Sequence, residues 1–283
     1  MLSPLTSNID TCVIKSFGQE WRKFNHLDTP ERELRSVFES YFSIFLWEAL
    51  PKNAIGFDMG CGSGRWAYFV APRVGVLHCI DPSIDALDAA KGKLRAFSNC
   101  RFHLAAADTS PLPDSSADFG YALGVLHHVP DTQKGINDCV RKLKPGAPFL
   151  MYLYYAFDNR SAWYQLTWQL SDMLRRLICQ LPFAVKLAIC DCIAALAYWP
   201  TARFAKMCDL FHLSVSRLPL AAYRDRSFVF MRNDSLDRFG TKLEKRFTKG
   251  QIAEMMKGAG LVDIKFNDYE PFWCAVGYKG FNP

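Results

Sequence analysis

The sequence predicts an α/β protein built on a mostly parallel sheet with helices on both faces. Two observations carry this prediction. Apolar, strand-like runs alternate with helical patterns between residues 51 and 156, which is the order typical of a parallel sheet. One of these runs leads into the glycine-rich turn Gly60-Cys61-Gly62-Ser63-Gly64, and a helical pattern follows. Such a first strand-to-helix turn is where α/β sheets hold nucleotide-like cofactors.

The glycine turn has an unusual spacing and an acid ahead of it. Glycines at alternate positions allow positive φ angles and a close approach of the backbone to a ligand. The dinucleotide fingerprint is G-x-G-x-x-G, whereas this run is G-x-G-x-G and Asp58 stands two residues before its first glycine. A carboxylate at that place disfavours a pyrophosphate and favours a cationic ligand or an ammonium group. The pattern therefore argues against a Rossmann-type oxidoreductase.

The run Phe57-Asp58-Met59-Gly60-Cys61-Gly62-Ser63-Gly64 resembles motif I of the class I S-adenosylmethionine (SAM) methyltransferases. SAM carries a sulfonium, an amino acid moiety and a ribose, and no phosphate. The resemblance implies a Rossmann-like, seven-stranded methyltransferase sheet that is mostly parallel with an antiparallel last strand. It also implies SAM as the cofactor, and it assigns five residues to cofactor binding: Asp58, Gly60, Cys61, Gly62 and Gly64.

A second strand-like run, Val74 to Ile80, ends in Asp81, 23 residues after Asp58, and Pro82-Ser83 opens the next helix. An acid about 20 residues beyond a glycine turn accepts hydrogen bonds from ribose hydroxyls. The resemblance implies this role for Asp81, with Pro82 beside it. Asp81 alone is equally compatible with a helix N-cap. The glycine turn at the expected distance favours ribose binding.

The run Ala105-Ala106-Ala107-Asp108 resembles the end of the family's third strand. There an acid binds the adenine amino group and a neighbouring backbone N–H meets the ring, which implies adenine contacts at Ala107 and Asp108. The usual acid of the family would fall at Ala106. Asp108 either replaces it from two residues further on or is a solvated loop acid.

The segment Phe119 to Asp131 resembles the end of strand four in the ubiquinone/menaquinone C-methylase-like branch. The resemblance implies that Leu123 and Gly124 lie under the methionine part of SAM and that His127 and His128 face the substrate side. A capping or core-edge role is the alternative for either histidine. Because neighbours on a strand alternate sides, we expect that the two cannot both point into the core.

A fifth segment, Leu143-Lys144-Pro145-Gly146, ends a helix ahead of an apolar strand, as in the family before strand five. The five segments follow one another in the family's order between residues 55 and 155. A single G-x-G would be a weak signal, whereas this series is specific.

The chain is predicted to have three parts. Residues 1 to 50 form an N-terminal helical lead, residues 51 to 156 and 248 to 283 form the SAM-binding core, and residues 157 to 247 form a helical insertion that is a probable substrate cap. Thr248 is a plausible N-cap of the last helix, and two strands follow it, Val262 to Asn267 and Phe272 to Tyr278.

The helical lead contains two aromatic patterns. Amphipathic helical spacing relates Phe38, Tyr41, Phe42, Phe45 and Leu46. Ahead of them, Phe17-Gly18 and Trp21 resemble an aromatic segment that folds over the cofactor in many relatives, which implies a cofactor contact at Trp21. Packing of these aromatics on the core is the alternative.

The insertion is unusually apolar. Phe183 to Trp199 is nearly all apolar between Pro182 and Pro200, and at 17 residues with two charges it falls short of a membrane span. It is either a core helix of a substrate cap or a surface helix that lies on a membrane or meets a lipid-linked substrate. In the second case anionic headgroups would face five basic residues: Arg175, Arg176, Lys186, Arg203 and Lys206.

Composition fits an intracellular enzyme. The net charge is +6, from 34 basic and 28 acidic residues. The sequence has no basic stripe interleaved with aromatic residues, so nucleic acid is not expected as a partner. The 10 cysteines form no C-x-x-C pair, so neither a metal site nor a disulfide framework is expected. Met1 to Asp10 lacks the basic start and apolar block of a signal peptide. We expect a cytoplasmic protein, and peripheral contact with the inner membrane face is the alternative.

The resemblance implies methyl transfer from SAM, by in-line displacement, to a small-molecule or lipid/sugar-linked acceptor. His127 and His128 are the candidate catalytic residues because an unperturbed histidine titrates near pH 6.5. Tyr154, Tyr155 and Tyr223 could orient the acceptor. The alternative is a SAM-binding, non-catalytic regulator, or a membrane- or partner-associated scaffold that uses the apolar insertion.

Overall fold

The computed structural model describes residues 8–23, 29–213, 215 and 218–281. The chain divides into two compact units. The first comprises Leu34–Ala156 and Leu243–Pro283 with the N-terminal segment up to Asn25, and the second comprises His26–Glu33 and Phe157–Lys242. Residues 243–247 therefore cluster with the first unit. Residues 1–7 and 24–28 of the predicted N-terminal helical lead lie outside the described residues.

The described residues form ten α-helices and seven β-strands. The helices are α1 Thr11–Lys23, α2 Glu31–Phe42, α3 Ala67–Val70, α4 Ile84–Lys93, α5 Thr132–Lys142, α6 Ala162–Ile178, α7 Phe183–Ile193, α8 Trp199–Leu210, α9 Phe228–Gly240 and α10 Lys249–Gly258. The strands are β1 Ile55–Met59, β2 Val76–Asp81, β3 Cys100–Leu104, β4 Phe119–Leu123, β5 Pro148–Tyr152, β6 Leu261–Phe266 and β7 Ala275–Lys279. A π-helical segment, Ala194–Tyr198, joins α7 to α8.

The seven strands of the first unit form one sheet in the order β3-β2-β1-β4-β5-β7-β6. Neighbouring strands from β3 to β5 pair in parallel, and β7 runs antiparallel to both β5 and β6. The predicted fold class, a mostly parallel seven-stranded sheet with an antiparallel last strand and a helical insertion after strand five, is confirmed. Because β1, β2 and β4 are adjacent and parallel, their carboxyl ends meet at one edge of the sheet.

Helices cover both faces of this sheet. One face packs against α2, α3 and α4 through a cluster that includes Phe38, Phe42, Val70, Leu87 and Ala90. The other face packs against α5 and α10 through a cluster that includes Ile136, Val140, Ile252 and Met256. The central strands β1, β4 and β5 are buried from both sides, which explains why they read as continuous apolar runs in the sequence.

Two glycines interlock β1 with β4. Gly56 is the register partner of Phe119, and Phe57 is the partner of Gly120. A Cβ on Gly56 would lie 2.1 Å from the Phe119 ring, and one on Gly120 would lie 2.2 Å from the Phe57 ring. Each phenylalanine thus occupies the space that the opposite glycine leaves free.

We expect Gly120→Ala to lower the free energy of unfolding by about 1–3 kcal/mol, because the added methyl overpacks a fully buried contact. Urea denaturation of the full chain measures this. The matched control is Gly92→Ala in α4, where a Cβ meets nothing within 4 Å. That change should stabilise by about 0.5–1 kcal/mol through helix propensity. Equal midpoints for Gly120→Ala and the parent would contradict the interlock.

Three sequence predictions about the first unit can be compared with these elements. The Thr248 N-cap is confirmed, because Thr248 Oγ1 accepts from Gln251 N–H and Gln251 Oε1 accepts from Thr248 N–H. The amphipathic helix of the lead ends at Phe42, so Phe45 is buried in the turn that follows and Leu46 is exposed. The last strand begins at Ala275 rather than at Phe272.

The prediction that Pro200 ends the apolar helix of the insertion is wrong. The helical chain runs on from Phe183 to Leu210, a length of 28 residues. Pro200 is the second residue of α8 and directly follows the π-helical segment Ala194–Tyr198. A wider helical turn accommodates a proline, which lacks an N–H donor and crowds the preceding turn.

Candidate active site

The glycine turn closes tightly over the end of β2. Gly60, Gly62 and Gly64 have φ angles of 74°, 53° and 75°, which residues other than glycine rarely adopt. The N–H of Gly60 donates to the carbonyl of Ile80 at 2.7 Å, and a Cβ on Gly60 would lie 2.4 Å from Val125 Cγ1. The turn therefore presents bare backbone at the carboxyl edge of the sheet, as the sequence predicts for this segment.

Asp81 joins the glycine turn to the start of α4. Its Oδ2 accepts from the N–H of Gly62 at 2.9 Å, and its Oδ1 accepts from the N–H of Ser83 at 2.8 Å. Burial raises the pKa of Asp81 to about 6, although both hydrogen bonds act to lower it. Ser83, not Asp81, caps α4, because Ser83 Oγ accepts from the N–H of Ala86. The N-cap alternative for Asp81 is therefore wrong.

Asp58 is a buried carboxyl group at the end of β1. It is 1% exposed, and among the described residues neither its Oδ2 nor the neighbouring Tyr121 hydroxyl has a hydrogen-bond partner. Burial raises the pKa of Asp58 to about 8, with the nearby charge of Asp81 adding to the rise, although the Tyr121 hydroxyl beside the carboxyl group acts to lower it. The carboxyl group is thus largely neutral at pH 7 and would ionise if a cation came to lie beside it.

Helix α1 lies across the glycine turn. A Cβ on Gly62 would be 3.0 Å from the Trp21 ring, and Arg65 Cζ lies 5.5 Å from the centroid of that ring. One turn earlier, Gly18 approaches Ser83 so closely that a Cβ there would lie 2.8 Å from Ser83 Oγ. The structure therefore brings Trp21 to the place where a contact with the cofactor is predicted.

The predicted adenine acid, Asp108, is in a short 3₁₀ turn after β3 together with the buried Ala107. Its Oδ2 accepts from the N–H of Asn8 at 2.7 Å and lies 3.5 Å from Lys134 Nζ. Its Oδ1 is buried and without a partner in the described part of the chain. The solvated-loop alternative is therefore wrong, since the side chain is only 10% exposed. One oxygen atom is left to accept from a ligand.

Gly124, directly after β4, borders open space. Its φ is 77°, and a Cβ at this position would meet nothing within 4 Å. Its N–H donates to the carbonyl of Tyr152 on β5 at 3.0 Å. The preceding Leu123 is buried at the end of the strand. A ligand can therefore approach the chain at Gly124 without displacing a side chain.

The expectation that His127 and His128 cannot both point inward is wrong. They are 0% and 5% exposed, because they lie in a 3₁₀ turn, Leu126–His128, and not on a strand. Residues do not alternate sides in such a turn. The ring of His128 lies 4.9 Å from that of Phe17, and its Nδ1 hydrogen-bonds to the carbonyl of Leu243 at 2.6 Å.

His127 is buried in an aromatic setting with both ring nitrogens unpartnered among the described residues. Its ring stacks on Tyr154, with 3.9 Å between centroids, and lies 4.0 Å from the ring of His128. Burial, with the nearby His128 and Arg246, holds the pKa of His127 well below its usual range. His127 is therefore a neutral imidazole at physiological pH, with one donor and one acceptor available.

Sequence reasoning missed the segment Leu243–Phe247, which it assigned to the insertion. The N–H of Lys245 donates to the carbonyl of His127 at 3.3 Å, and the N–H of Phe247 donates to that of Tyr154 at 2.9 Å. Arg246 lies over the Tyr154 ring at 5.0 Å and donates to the Tyr155 carbonyl at 3.3 Å. The available signal was the mixed run Glu244-Lys245-Arg246-Phe247 just ahead of Thr248.

The predicted acceptor-orienting tyrosines fall in different units. Tyr154 and Tyr155 belong to the first unit and flank the segment Leu243–Phe247. Tyr223 belongs to the second unit, where its hydroxyl donates to Asp234 at 2.8 Å. Of the three tyrosines, Tyr154 and Tyr155 therefore belong to this site.

The residues at this edge fit SAM. Asp58 Oδ2 and Asp108 Oδ1 are buried acceptors without partners in the described chain, and Gly124 borders open space. Buried polar atoms of this kind normally have partners in native proteins, so their occurrence here indicates a polar ligand. The order and spacing of the glycine turn and the acids, on this sheet, define a class I SAM-dependent methyltransferase domain.

Comparison with known proteins identifies the family of this domain. Residues 57–151 match the model of the family described as "Methyltransferase domain" (Methyltransf_11). The uncharacterized methyltransferase YcgJ of Bacillus subtilis is 29% identical over 104 residues, which cover 36% of this chain and 41% of the relative. The demethylmenaquinone methyltransferase of Bacillus licheniformis is 29% identical over 100 residues, 34% of this chain and 43% of the relative.

The sequence matches cover only part of this chain, whereas the similarity in fold extends over most of it. The chain spans about two fifths of the length of the two curated relatives. The crystal structure of a SAM-dependent methyltransferase from Aquifex aeolicus covers 90% of this chain and 95% of its own, with a TM-score of 0.50 and 13% identity. At that identity the likeness shows the fold alone. Residues 57–151 thus form a class I methyltransferase domain, similar at low identity to the quinone C-methylase branch.

Proposed function

We propose that this chain transfers the methyl group of SAM to a small-molecule acceptor held beside His127 and Tyr154. The observation that carries the proposal is a set of buried polar atoms that have no hydrogen-bond partner among the described residues: Asp58 Oδ2, Asp108 Oδ1 and the two ring nitrogens of His127. Asp58 and Asp108 lie where a cofactor would bind. His127 lies past Gly124, where an acceptor would meet the methyl group.

Three features of the chain would hold SAM. Asp81 keeps two oxygen atoms, each with a further lone pair, for the ribose hydroxyls while it binds Gly62 and Ser83. Asp58 would face the ammonium of the methionine part, and the bare backbone at Gly60 and Gly124 would admit the ligand closely. When bound, SAM supplies a methyl group that its sulfonium has already activated.

His127 would orient the acceptor. Its backbone carbonyl is fixed by Lys245 N–H and its ring by stacking on Tyr154, so the two ring nitrogens have a defined direction. A fixed hydrogen bond that aligns the attacking atom with the S–CH₃ bond supplies much of the rate in such a transfer. Because its pKa is low, His127 is a weak base, and its main contribution is therefore positional.

The setting of His127 favours an acceptor that is partly apolar or aromatic. The Tyr154 ring stacks on His127 and lies 6.1 Å from the ring of Tyr152, and the ring of His128 lies beside both His127 and Tyr154. The Bacillus licheniformis relative is named for demethylmenaquinone as its acceptor. A hydrophobic metabolite is accordingly the class of acceptor that we propose here.

The direct test is release of S-adenosylhomocysteine by the purified chain in the presence of SAM and a panel of acceptors. The panel should contain apolar phenols, quinols, amines and sterols, so that oxygen, nitrogen and carbon acceptors are all represented. Acceptor-dependent release supports the proposal. Tight SAM binding without release for any acceptor would favour the alternative, a SAM-binding regulator or scaffold.

A further prediction concerns Asp58. At pH 7 a group with a pKa of about 8 is about 90% protonated, so SAM binding should release close to one proton if the ammonium forces Asp58 to ionise. Asp81, with its pKa of about 6, is already mostly ionised at pH 7 and adds little. Calorimetry at pH 7 in two buffers with different ionisation enthalpies measures the release.

The control for this experiment is Asp58→Asn, which keeps the shape of the side chain and removes its proton. We expect this variant to bind SAM with the same heat in both buffers. If the parent already gives identical heats in both buffers, Asp58 does not ionise on binding and is not the partner of the ammonium.

A further inference from the structure

The outer surface of helix α6 in the second unit is apolar. Five of its large side chains, at helical spacing, are between 51% and 68% exposed: Trp163, Leu166, Leu170, Met173 and Leu177. In a helix of a water-soluble unit such a stripe normally faces the core. On α6 it faces outward.

The opposite side of α6 is charged and buried. Arg175 Nε donates to Asp172 Oδ1 at 2.6 Å, and Arg175 Nη1 donates to the carbonyl of Thr241 at 2.9 Å. The expectation that Arg175 faces anionic headgroups is therefore wrong, because these inward hydrogen bonds satisfy its guanidinium. Arg176, by contrast, is at the surface and forms a salt bridge with the same Asp172. The single carboxylate of Asp172 therefore neutralises only one of the two guanidinium charges, those of Arg175 and Arg176.

Helix α7 has the same inverted polarity. Lys186 is buried and donates to the carbonyl of Gly240 at 3.1 Å, so it does not face headgroups either. Asp191 binds Arg232 of α9 through two hydrogen bonds of 2.7 and 2.6 Å. Val185 of α7 and Leu196 of the π-helical segment that follows it are exposed. Since α6 and α7 both turn polar groups toward α9, their apolar sides face away from it together.

The exposed apolar surface continues along α8. Ala202 and Ala205 are buried, whereas Phe204, Met207, Leu210 and Phe211 are exposed. Of the 21 large apolar side chains that are exposed in the described chain, 15 lie between residues 163 and 213. Single exposed apolar residues need no explanation, but a concentration of this kind marks an interaction surface.

The second unit is net positive. Residues 157–242, which form most of it, contain twelve Lys or Arg and seven Asp, a net charge of +5, and residues 26–33 with one Arg and three acids bring the unit to +3. An apolar helical face beside net positive charge is complementary to a membrane surface with anionic headgroups. Trp163 and Trp199, both exposed, are of the type that prefers the membrane–water boundary.

We infer that the second unit docks on the surface of an anionic phospholipid membrane, with the exposed apolar faces of α6, α7 and α8 in the interface. The segment Phe183–Leu210 is long and apolar enough to cross a membrane by length and composition. Yet Lys186 and Asp191 tie its first half to α9, and Arg203, Lys206 and Asp209 charge its second half. These groups favour a helix in the plane of the interface over one that spans the bilayer.

This inference rests on the second unit alone and does not depend on methyl transfer. If the proposed function also holds, docking would bring the enzyme to the phase in which an apolar acceptor is dissolved. Failure of the two ideas is distinguishable, because vesicle binding requires neither SAM nor an acceptor.

The experiment is flotation of the full chain with vesicles of phosphatidylcholine alone and of phosphatidylcholine with phosphatidylglycerol. We expect flotation with the anionic vesicles and at least about tenfold weaker binding to the neutral ones, with loss of the difference at high salt. The variant Leu170→Glu/Leu177→Glu should bind at least about tenfold more weakly, because two exposed contacts become charged.

The matched control, Leu46→Glu/Val262→Glu, changes two exposed apolar residues of the first unit and should float like the parent. Thermal melting of each variant establishes that it is folded. No flotation of the parent overturns the inference. The inference is also overturned if the parent sediments as a dimer, the α6 variant alone sediments as a monomer, and neither binds vesicles. A second copy of the chain would then cover the apolar face. Equal binding to both vesicle types overturns the anionic preference.

Discussion

Asp81→Ala should weaken SAM binding by about two to four orders of magnitude, because it removes two hydrogen bonds from ribose hydroxyls to a charged acceptor, each worth about 1.5–3 kcal/mol. The same change frees the N–H groups of Gly62 and Ser83, which now donate to the two carboxylate oxygens. Asp81 thus holds the glycine turn in place as well as binding the ligand. Calorimetric titration of the full chain with SAM measures the effect.

The matched control for Asp81→Ala is Asp88→Ala on the outer side of α4. Asp88 is exposed and pairs only with Lys91 on its own helix among the described residues, at 3.1 Å. Its replacement should leave the dissociation constant for SAM within about twofold, since an exposed pair of this kind contributes little. If Asp81→Ala bound SAM as tightly as the control, the ribose role of Asp81 would be lost.

Asp81 also contributes to the pH dependence of SAM binding, in addition to the proton that Asp58 is expected to release. The pKa of Asp81 is raised to about 6, and only the ionised form offers both oxygens to the hydroxyls. SAM binding should therefore be unaffected by Asp81 above about pH 7. As the pH falls through 6, the dissociation constant should rise by up to about tenfold per unit through this group, because binding must then displace a proton. This component should be absent from Asp81→Ala.

The second large effect is expected at His127. His127→Ala should lower the rate of methyl transfer by about 10²-fold or more at saturating SAM, since positioning and proton-transfer groups commonly contribute at least that much. SAM affinity should change little, because His127 lies beyond Gly124 and away from Asp81. The measurement is the formation rate of S-adenosylhomocysteine with whichever acceptor the panel identifies.

His127→Phe separates packing from chemistry. Phenylalanine can keep the stack on Tyr154, now 3.9 Å between centroids, but it has no ring nitrogen. If the nitrogens orient the acceptor, this variant should be as slow as His127→Ala while melting close to the parent. A fast His127→Phe would show that only the shape of the pocket matters. His128→Ala should act chiefly on stability, because His128 hydrogen-bonds to the Leu243 carbonyl.

The low pKa of His127 adds a qualitative expectation. Since its imidazole is neutral well below pH 6.5, the rate should show no inflection near 6.5 from this group. An inflection of the pH–rate profile near pH 6.5 that is absent from His127→Phe would mean that His127 titrates normally and acts as a general base.

The sequence by itself determined the local features of this protein. The glycine turn, Asp81 at the end of β2 and the Leu-Lys-Pro-Gly turn before β5 depend on residues that are close in the chain, and the structure has all three in the predicted order. The Thr248 cap is of the same kind. A seven-stranded fold follows from such a series because each strand-to-helix unit specifies its own turn.

Tertiary structure alone decided the surroundings of His127 and the polarity of the second unit. Burial lowers the pKa of His127, with smaller contributions from His128 and from Arg246, which lies more than a hundred residues further along the chain, and Lys186 is satisfied by a carbonyl 54 residues away. The sequence pattern of α6 is that of an ordinary amphipathic helix, and its period cannot say which side faces inward. That choice depends on where the end of α9 offers the carbonyls of Gly240 and Thr241 to the buried Lys186 and Arg175, because a buried charge is tolerated only where such partners exist.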